Sequence, residues 1–340
     1  MNRIPSLDGF RAISIILVLI YHSSFSIGFP QKYAPIVAGG KEGVTIFFVI
    51  SGFLITYLLL NEKSKYGTIN LKSFYIKRAI RILPAFFLYC IFIVLVWPAF
   101  ESYRFHENEL WHLFTFTENY TFKSWFIGHF WSLSVEEQFY LFWPALLLIF
   151  NKHLKTILFI LIAYSWIVRA FIYKYPMYMS ISIWPFFNYS DSIFIGSLGA
   201  IYYFNTPTLV SNKIFKSYLL QGLALLLIIS FKYFSSVGKF GKISLPFGNT
   251  IISASILYLI LSYVTPSKSL IYKFLNCKPM VHLGILSYSM YIWQQFFIVG
   301  SLKVFWRTLP YNMIFAYIVS LLAYNLWEKQ FLKLKKYVKN

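Results

Sequence analysis

Acidic residues are scarce: 11 Asp and Glu stand against 31 Lys and Arg, a formal net charge of +20 over 340 residues. Charged residues of both signs make up only 12% of the chain, about half the usual share in a soluble domain. Cysteine is nearly absent. Cys90 and Cys277 lie in or beside apolar segments, and such a pair makes neither a disulfide framework nor a metal-type spacing. No metal site is therefore expected. No polar linker, low-complexity tract or internal repeat interrupts the chain, and no compact basic domain stands apart from the apolar runs. That excludes nucleic acid as the partner of the positive charge and assigns it to loops facing anionic lipid. The charged lead-in Asn2-Arg3 is followed by a span holding Arg11 and His22 with no small-x-small cleavage site close behind it, so no cleavable signal peptide is expected.

Apolar and aromatic residues are abundant, at 58% and 22%. They recur in ten runs, about 11–27, 43–60, 83–100, 133–150, 155–173, 188–204, 217–234, 248–264, 284–302 and 311–328. Runs near 18–20 residues suit helices crossing a hydrocarbon layer, so the expected fold is an all-α polytopic membrane protein of about ten transmembrane helices. With the N-terminus inside, nineteen Lys and Arg fall in one set of loops and tails and ten in the other. The positive-inside rule then places both termini in the cytoplasm. One integral-membrane domain is expected over 1–340, with no appended soluble domain.

Several polar groups break the apolar pattern, and an ionisable group within a span is a functional-site hypothesis by default. The first run carries Arg11 and His22. Eleven helical steps separate them by roughly 16 Å, which puts Arg11 at one membrane face and His22 past the middle. His22 suits either a general base or a helix–helix hydrogen bond. Glu136 and Glu137 open the fourth run; Ser132 or Ser134 as a helix cap would account for one acidic residue comfortably. Either carboxylate would also suit the task of orienting His22. Asp191 begins the sixth run. Arg78 and Arg81, spaced i, i+3, share a helix face and suit phosphate recognition or anchoring to anionic lipid. Ser51-Gly52 permits either close helix packing or passage of a narrow substrate. The loop 101–132 carries Glu101, Glu107, Glu109 and Glu118 with Trp111, Trp125, Phe126, Phe130 and Trp131. A long loop of this kind is usually functional, so a lid or re-entrant segment is expected. Its aromatics suit an interfacial belt or stacking on sugar rings.

Arg11 followed by His22 after ten residues resembles the R-X10-H motif of the acyltransferase-3 membrane O-acyltransferases. Other segments resemble that family in order along the chain: Leu7-Asp-Gly-Phe-Arg11, Phe47-Phe-Val-Ile-Ser51-Gly-Phe-Leu-Ile-Thr56, Arg78-Ala-Ile-Arg81 with Pro84, Trp131-Ser-Leu-Ser-Val-Glu-Glu-Gln-Phe-Tyr140, Asp191 with Gly196, and Gly284-Ile-Leu-Ser-Tyr288-Ser-Met-Tyr291-Ile-Trp293. The resemblance implies transfer of an acyl group, commonly acetyl from acetyl-CoA, to a hydroxyl of a glycan or glycolipid at a bacterial inner membrane. Acyl-CoA is then a co-substrate, and no tightly bound cofactor is expected. His22 carries over as the catalytic base, Arg11 as its motif partner, Glu136 or Glu137 as supporting carboxylates, and Arg78 and Arg81 as the acyl-CoA side. Asp191, Ser51 and Gly52 carry over as supporting residues. The chain departs from the family pattern at Gln294 and Gln295, where a histidine is common, and at Tyr189, where an arginine is common. No second base is expected at Gln294. The rival class is a transporter or flippase for a glycan or lipid-linked intermediate, which would more readily show inverted repeats.

Overall fold

The structure is a computed structural model that describes residues 4–37, 40–96, 98, 105, 107–121, 124–175, 184–298 and 304–338. Glu101 and the cations Arg3, Arg104, Lys123, Lys303 and Lys339, used in the readings above, lie outside these. Among the described residues all regular structure is helical. The long helices are α1 (Leu7–Ser23), α2 (Lys41–Tyr66), α3 (Leu71–Ile91), α4 (Phe130–Ile149), α5 (Leu154–Lys174), α6 (Trp184–Asn205), α7 (Tyr218–Ser236), α8 (Gly241–Tyr263), α9 (Lys278–Phe297) and α10 (Tyr311–Ala323). Each overlies one of the apolar runs. Five described helices are long and apolar enough to cross a membrane: α2, α3 with its π-helical extension Phe92–Val96, α5 with the 3-10 turn before it, α7 and α8.

Local chemistry sets several boundaries that hydropathy misplaces. α2 runs past its apolar stretch and stops at Gly67, whose φ of 76° closes the helix while its N–H bonds Lys63 O at 2.8 Å. α3 starts well before its apolar run because the Asn70 side chain accepts from Ser73 N at 2.9 Å. Arg78 and Arg81 therefore sit on a helix. Within 101–132, the expected loop holds short helices at Glu107–Phe114 and Trp125–Gly128.

The chain divides into two compact units. One comprises residues within 1–17, 39–68 and 135–285; the other, residues within 18–38, 69–134 and 286–340. In the first unit α2 and α6 pack backbone to backbone. A Cβ on Gly52 would fall on the carbonyl of Ile193, and one on Gly196 on the carbonyl of Val49. Of the two readings of Gly52, close packing is the one this contact describes. Around it Phe10, Val49, Ile50, Phe53, Ile256 and Ile260 form an apolar core. Hydroxyls tie α2 to α4: Ser51 bonds Tyr140, and Trp143 Nε1 donates to Thr56 Oγ1 at 2.8 Å.

The second unit has an aromatic core. Tyr89 meets Phe130 and Trp293 with ring centres 5.7 and 5.3 Å apart, and Phe92 meets Phe296 at 4.9 Å. The Tyr89 hydroxyl donates to Phe126 O at 2.7 Å, satisfying a polar group that is fully buried. Phe126 and Phe130 are buried in this core, whereas Trp111 is exposed. The loop aromatics thus serve different ends.

Candidate active site

His22 is the penultimate residue of α1, and its Nδ1 lies 2.8 Å from Gln294 Oε1 on α9. The amide is oriented by its own neighbour: Gln294 Nε2 donates to Gln295 Oε1 at 3.4 Å. An amide oxygen only accepts, so the Nδ1 proton points at Gln294. The imidazole is then held in the tautomer whose Nε2 carries a lone pair. Trp125 completes the frame. Its Nε1 donates to Gln295 O at 3.0 Å, and its ring stands edge-on to the His22 ring, centres 6.1 Å apart and inclined 68°. Tyr21 contacts the imidazole at 5.3 Å. The sequence pointed to His22; the partner at Nδ1 is an amide from the position where no second base was expected.

Next to this frame lie buried polar groups that the sequence reading gave no role. Both ring nitrogens of His129 and Nε1 of Trp293 are buried with no hydrogen-bond partner among the described residues. The His129 ring packs on Tyr89 at 5.7 Å and Tyr291 at 5.6 Å, while its carbonyl accepts from the Tyr291 hydroxyl at 2.7 Å. Unsatisfied buried donors and acceptors are rare and call for an explanation. Ser132 Oγ pairs with the Tyr291 hydroxyl at 2.6 Å, and Ser134 Oγ accepts from Glu118 N at 3.2 Å. These serines lie inside α4, which begins at Phe130, so neither caps it. Glu136 and Glu137 sit in its second turn, and the helix-terminus account of the pair does not hold.

Glu118 is fully buried. Burial pushes its pKa from the ordinary 4.5 up to about 7, against the opposing pull of a hydrogen bond with Thr121 and with a smaller push from the Glu109 carboxylate. The folded state therefore holds this proton more tightly than the unfolded one. Its contribution to stability is complete below pH 4.5 and is lost as pH rises through 7. Thermal unfolding in detergent should show Tm rising by a few degrees between pH 8 and pH 6, on the order expected for one such group. Glu118→Gln should flatten that slope; an unchanged slope in the variant would contradict the burial argument.

In the other unit, Arg11 pairs with Asp8 at 2.5 Å, one helical turn away. The Asp8 carbonyl lies where a Cβ on Gly284 would fall. Asp191 is fully buried and bonded on both oxygens. Arg169 Nη2 donates to Oδ2 at 2.8 Å, Thr250 Oγ1 to Oδ2 at 2.5 Å and Asn249 Nδ2 to Oδ1 at 2.6 Å. Arg169 also donates through Nε to Pro246 O at 3.0 Å and through Nη1 to Asn188 O at 3.3 Å. This network joins α5, α6 and α8. Arg169 was missed because a lone cation in an apolar run offers no spacing to read. Back in the second unit, on α3, Arg78 lies over the Phe74 ring at 5.8 Å, and the carbonyls of Ile82 and Pro84 accept from the Tyr288 hydroxyl and Trp327 Nε1, each at 2.9 Å.

Residues 4–324 match a protein family described as an acyltransferase domain. An O-acetyltransferase, OatA, of Staphylococcus aureus is 31% identical over 313 residues, covering 85% of this chain and 50% of its own. A peptidoglycan O-acetyltransferase of Listeria monocytogenes is 37% identical over 176 residues, 45% of this chain and 25% of that one. The chain spans about half the length of the first relative and about a quarter of the second. No solved structure matches it.

Proposed function

Since the chain belongs to the acyltransferase-3 family of integral membrane proteins, we propose that it is an O-acetyltransferase moving an acetyl group from acetyl-CoA to a hydroxyl of a cell-wall glycan, a peptidoglycan-type polymer or a lipid-linked precursor of one. The relative acting on peptidoglycan supports that acceptor class. In this reading ten helices cross the bacterial cytoplasmic membrane with both termini inside, as the distribution of lysine and arginine suggests. Arg78 and Arg81 take the donor's phosphates as charge-assisted hydrogen-bond donors.

The observation that carries the reading is the His22–Gln294 bond. With Nδ1–H anchored, Nε2 removes the proton from the acceptor hydroxyl, and the oxygen attacks the thioester carbonyl. The C–S bond breaks, the acetyl ester forms, and the imidazolium returns its proton to the departing CoA thiolate. In this reading the Trp293 N–H, which has no partner among the described residues, is the donor available to a reacting oxygen. Proton transfer of this kind contributes about 10²–10⁴-fold. The resemblance assigns Arg11 as the essential motif partner of His22. It assigns Glu136 and Glu137 as supporting carboxylates.

Gln294 offers the test. Gln294→Leu removes the acceptor at Nδ1, so kcat for CoA release should fall about 10- to 100-fold, within the span of general-base catalysis, with KM for acetyl-CoA unchanged. Gln294→Glu keeps an acceptor there and should retain activity. Equal kcat in Gln294→Leu and wild type would remove the anchoring role.

A further inference from the structure

Within the first unit, a cavity of about 520 Å³ is lined by the start of α7, the end of α8 and the segments that flank them. That volume suits a small molecule or a headgroup. Its buried side is fixed by hydrogen bonds between elements. The Tyr263 hydroxyl on α8 donates to Gln221 Oε1 on α7 at 2.5 Å, and Gln221 Nε2 donates to Phe215 O at 3.0 Å. Both side chains are buried. The segment 265–269 is shaped locally, with Ser269 Oγ accepting from Tyr272 N at 3.1 Å. The charged residues lining the cavity are Lys216 and Lys268, and no carboxylate lines it. Both lysines are exposed, so the cavity's positive charge lies on its open side, where an anion can reach it.

The walls that carry this charge turn apolar within three residues. Among the described residues the two most exposed large apolar side chains are Leu219, at 82%, and Leu270, at 81%. Leu219 follows the lining residue Tyr218, and Leu270 follows the lining residue Ser269. A cationic cavity bordered on two segments by bare leucines matches an amphiphile with an anionic head. A small water-soluble phosphate would leave the leucines without a partner. We propose that this cavity is a binding site for the headgroup of an anionic phospholipid of the phosphatidylglycerol type. Lys216 and Lys268 take the phosphate, the serine hydroxyls of the 265–269 segment face the glycerol, and the acyl chains lie along Leu219 and Leu270. Basic pockets between membrane helices bind anionic headgroups in this way. In the topology proposed above the lipid belongs to the cytoplasmic leaflet, but the site depends neither on that orientation nor on the acetyl transfer.

The probe is phosphatidylglycerol, titrated into full-length protein in a neutral detergent and counted as bound lipid per chain by native mass spectrometry. Wild type should hold one phosphatidylglycerol at least tenfold more tightly than phosphatidylcholine. Lys216→Gln and Lys268→Gln should each weaken binding about fivefold, the share of one lysine near an anionic headgroup. The double variant Lys216→Arg with Lys268→Arg should keep the affinity, which separates loss of charge from loss of fold. Lys213 and Lys273 stand on the same two segments but do not line the cavity, so Lys213→Gln with Lys273→Gln should leave binding within twofold of wild type. Equal affinity in wild type and in Lys216→Gln with Lys268→Gln would overturn the site. Equal weakening by the Lys213 and Lys273 pair would overturn it too, since the attraction would then be diffuse surface charge. Glycerol 1-phosphate binding as tightly as the lipid would overturn the choice of occupant in favour of a soluble phosphate.

Discussion

His22→Ala should reduce histidine-dependent CoA release by about 10³-fold or more, within the upper range of general-base catalysis, while the protein keeps its thermal unfolding profile. The reasoning is geometric. Gln294 Oε1 fixes the Nδ1 proton at 2.8 Å, and the Trp125 ring stands edge-on at 6.1 Å, so Nε2 is the atom left to accept a proton. His22 is the penultimate residue of α1, so its loss removes one side-chain bond, to Gln294, near the helix end and should not unfold the chain. Steady-state release of free thiol from acetyl-CoA, with acceptor present, reads the effect. Activity within tenfold of wild type in the variant would sink the base assignment.

Asp191→Ala should be the most destabilising single change. It strands the Arg169 guanidinium, which is 9% exposed and loses its carboxylate, and also takes the acceptor from Thr250 and one of two acceptors from Asn249, which keeps Ser192. Breaking a buried ion pair on one side costs about 3–5 kcal/mol, because an uncompensated charge stays inside. In a membrane bundle there is no bulk water to take that charge up. The measurement is Tm in detergent by intrinsic fluorescence, beside the double variant Asp191→Ala with Arg169→Met. The double variant should recover much of the loss. A single variant as stable as wild type would mean that the network contributes nothing to the bundle.

Much of the architecture was written in hydropathy: each apolar run lies under a helix. Charges breaking the apolar runs point to Arg11, His22, Arg78 and Arg81, and the family motifs add the roles that hydropathy lacks. Three parts were not legible, each for a physical reason. The start of α3 at Leu71 was hidden because Lys72, Lys77, Arg78 and Arg81 depress local hydropathy; the Asn70 cap was the available signal. Gln294 and Gln295 were noticed as departures from a family pattern, yet two adjacent amides in an apolar run are themselves unusual, since each must find partners away from water. The pairing of Arg169 with Asp191 depends on three helices meeting, and no local spacing encodes it. Asp191 opens an apolar run with nothing beside it to name its partners, and its bonds go to Arg169, Asn249 and Thr250.

The aromatic loop shows how one composition serves two ends. In the sequence Trp125 and Phe126 suit an interfacial belt first and sugar stacking second. In the structure Trp125 supports the His22 frame, and Phe126 gives its carbonyl to Tyr89. Their roles follow from which backbone carbonyls their neighbours must satisfy, which is a tertiary property.

The central claim is that acetyl groups pass from acetyl-CoA to a glycan hydroxyl through His22. The most direct test is reconstitution in sealed liposomes, with labelled acetyl-CoA on the face of the lysine-rich loops and peptidoglycan fragments on the other. The expected result is labelled, base-labile ester on the glycan with matching release of CoA, both absent in His22→Ala. Undiminished transfer in that variant, or passage of glycan with no consumption of acetyl-CoA, would contradict it.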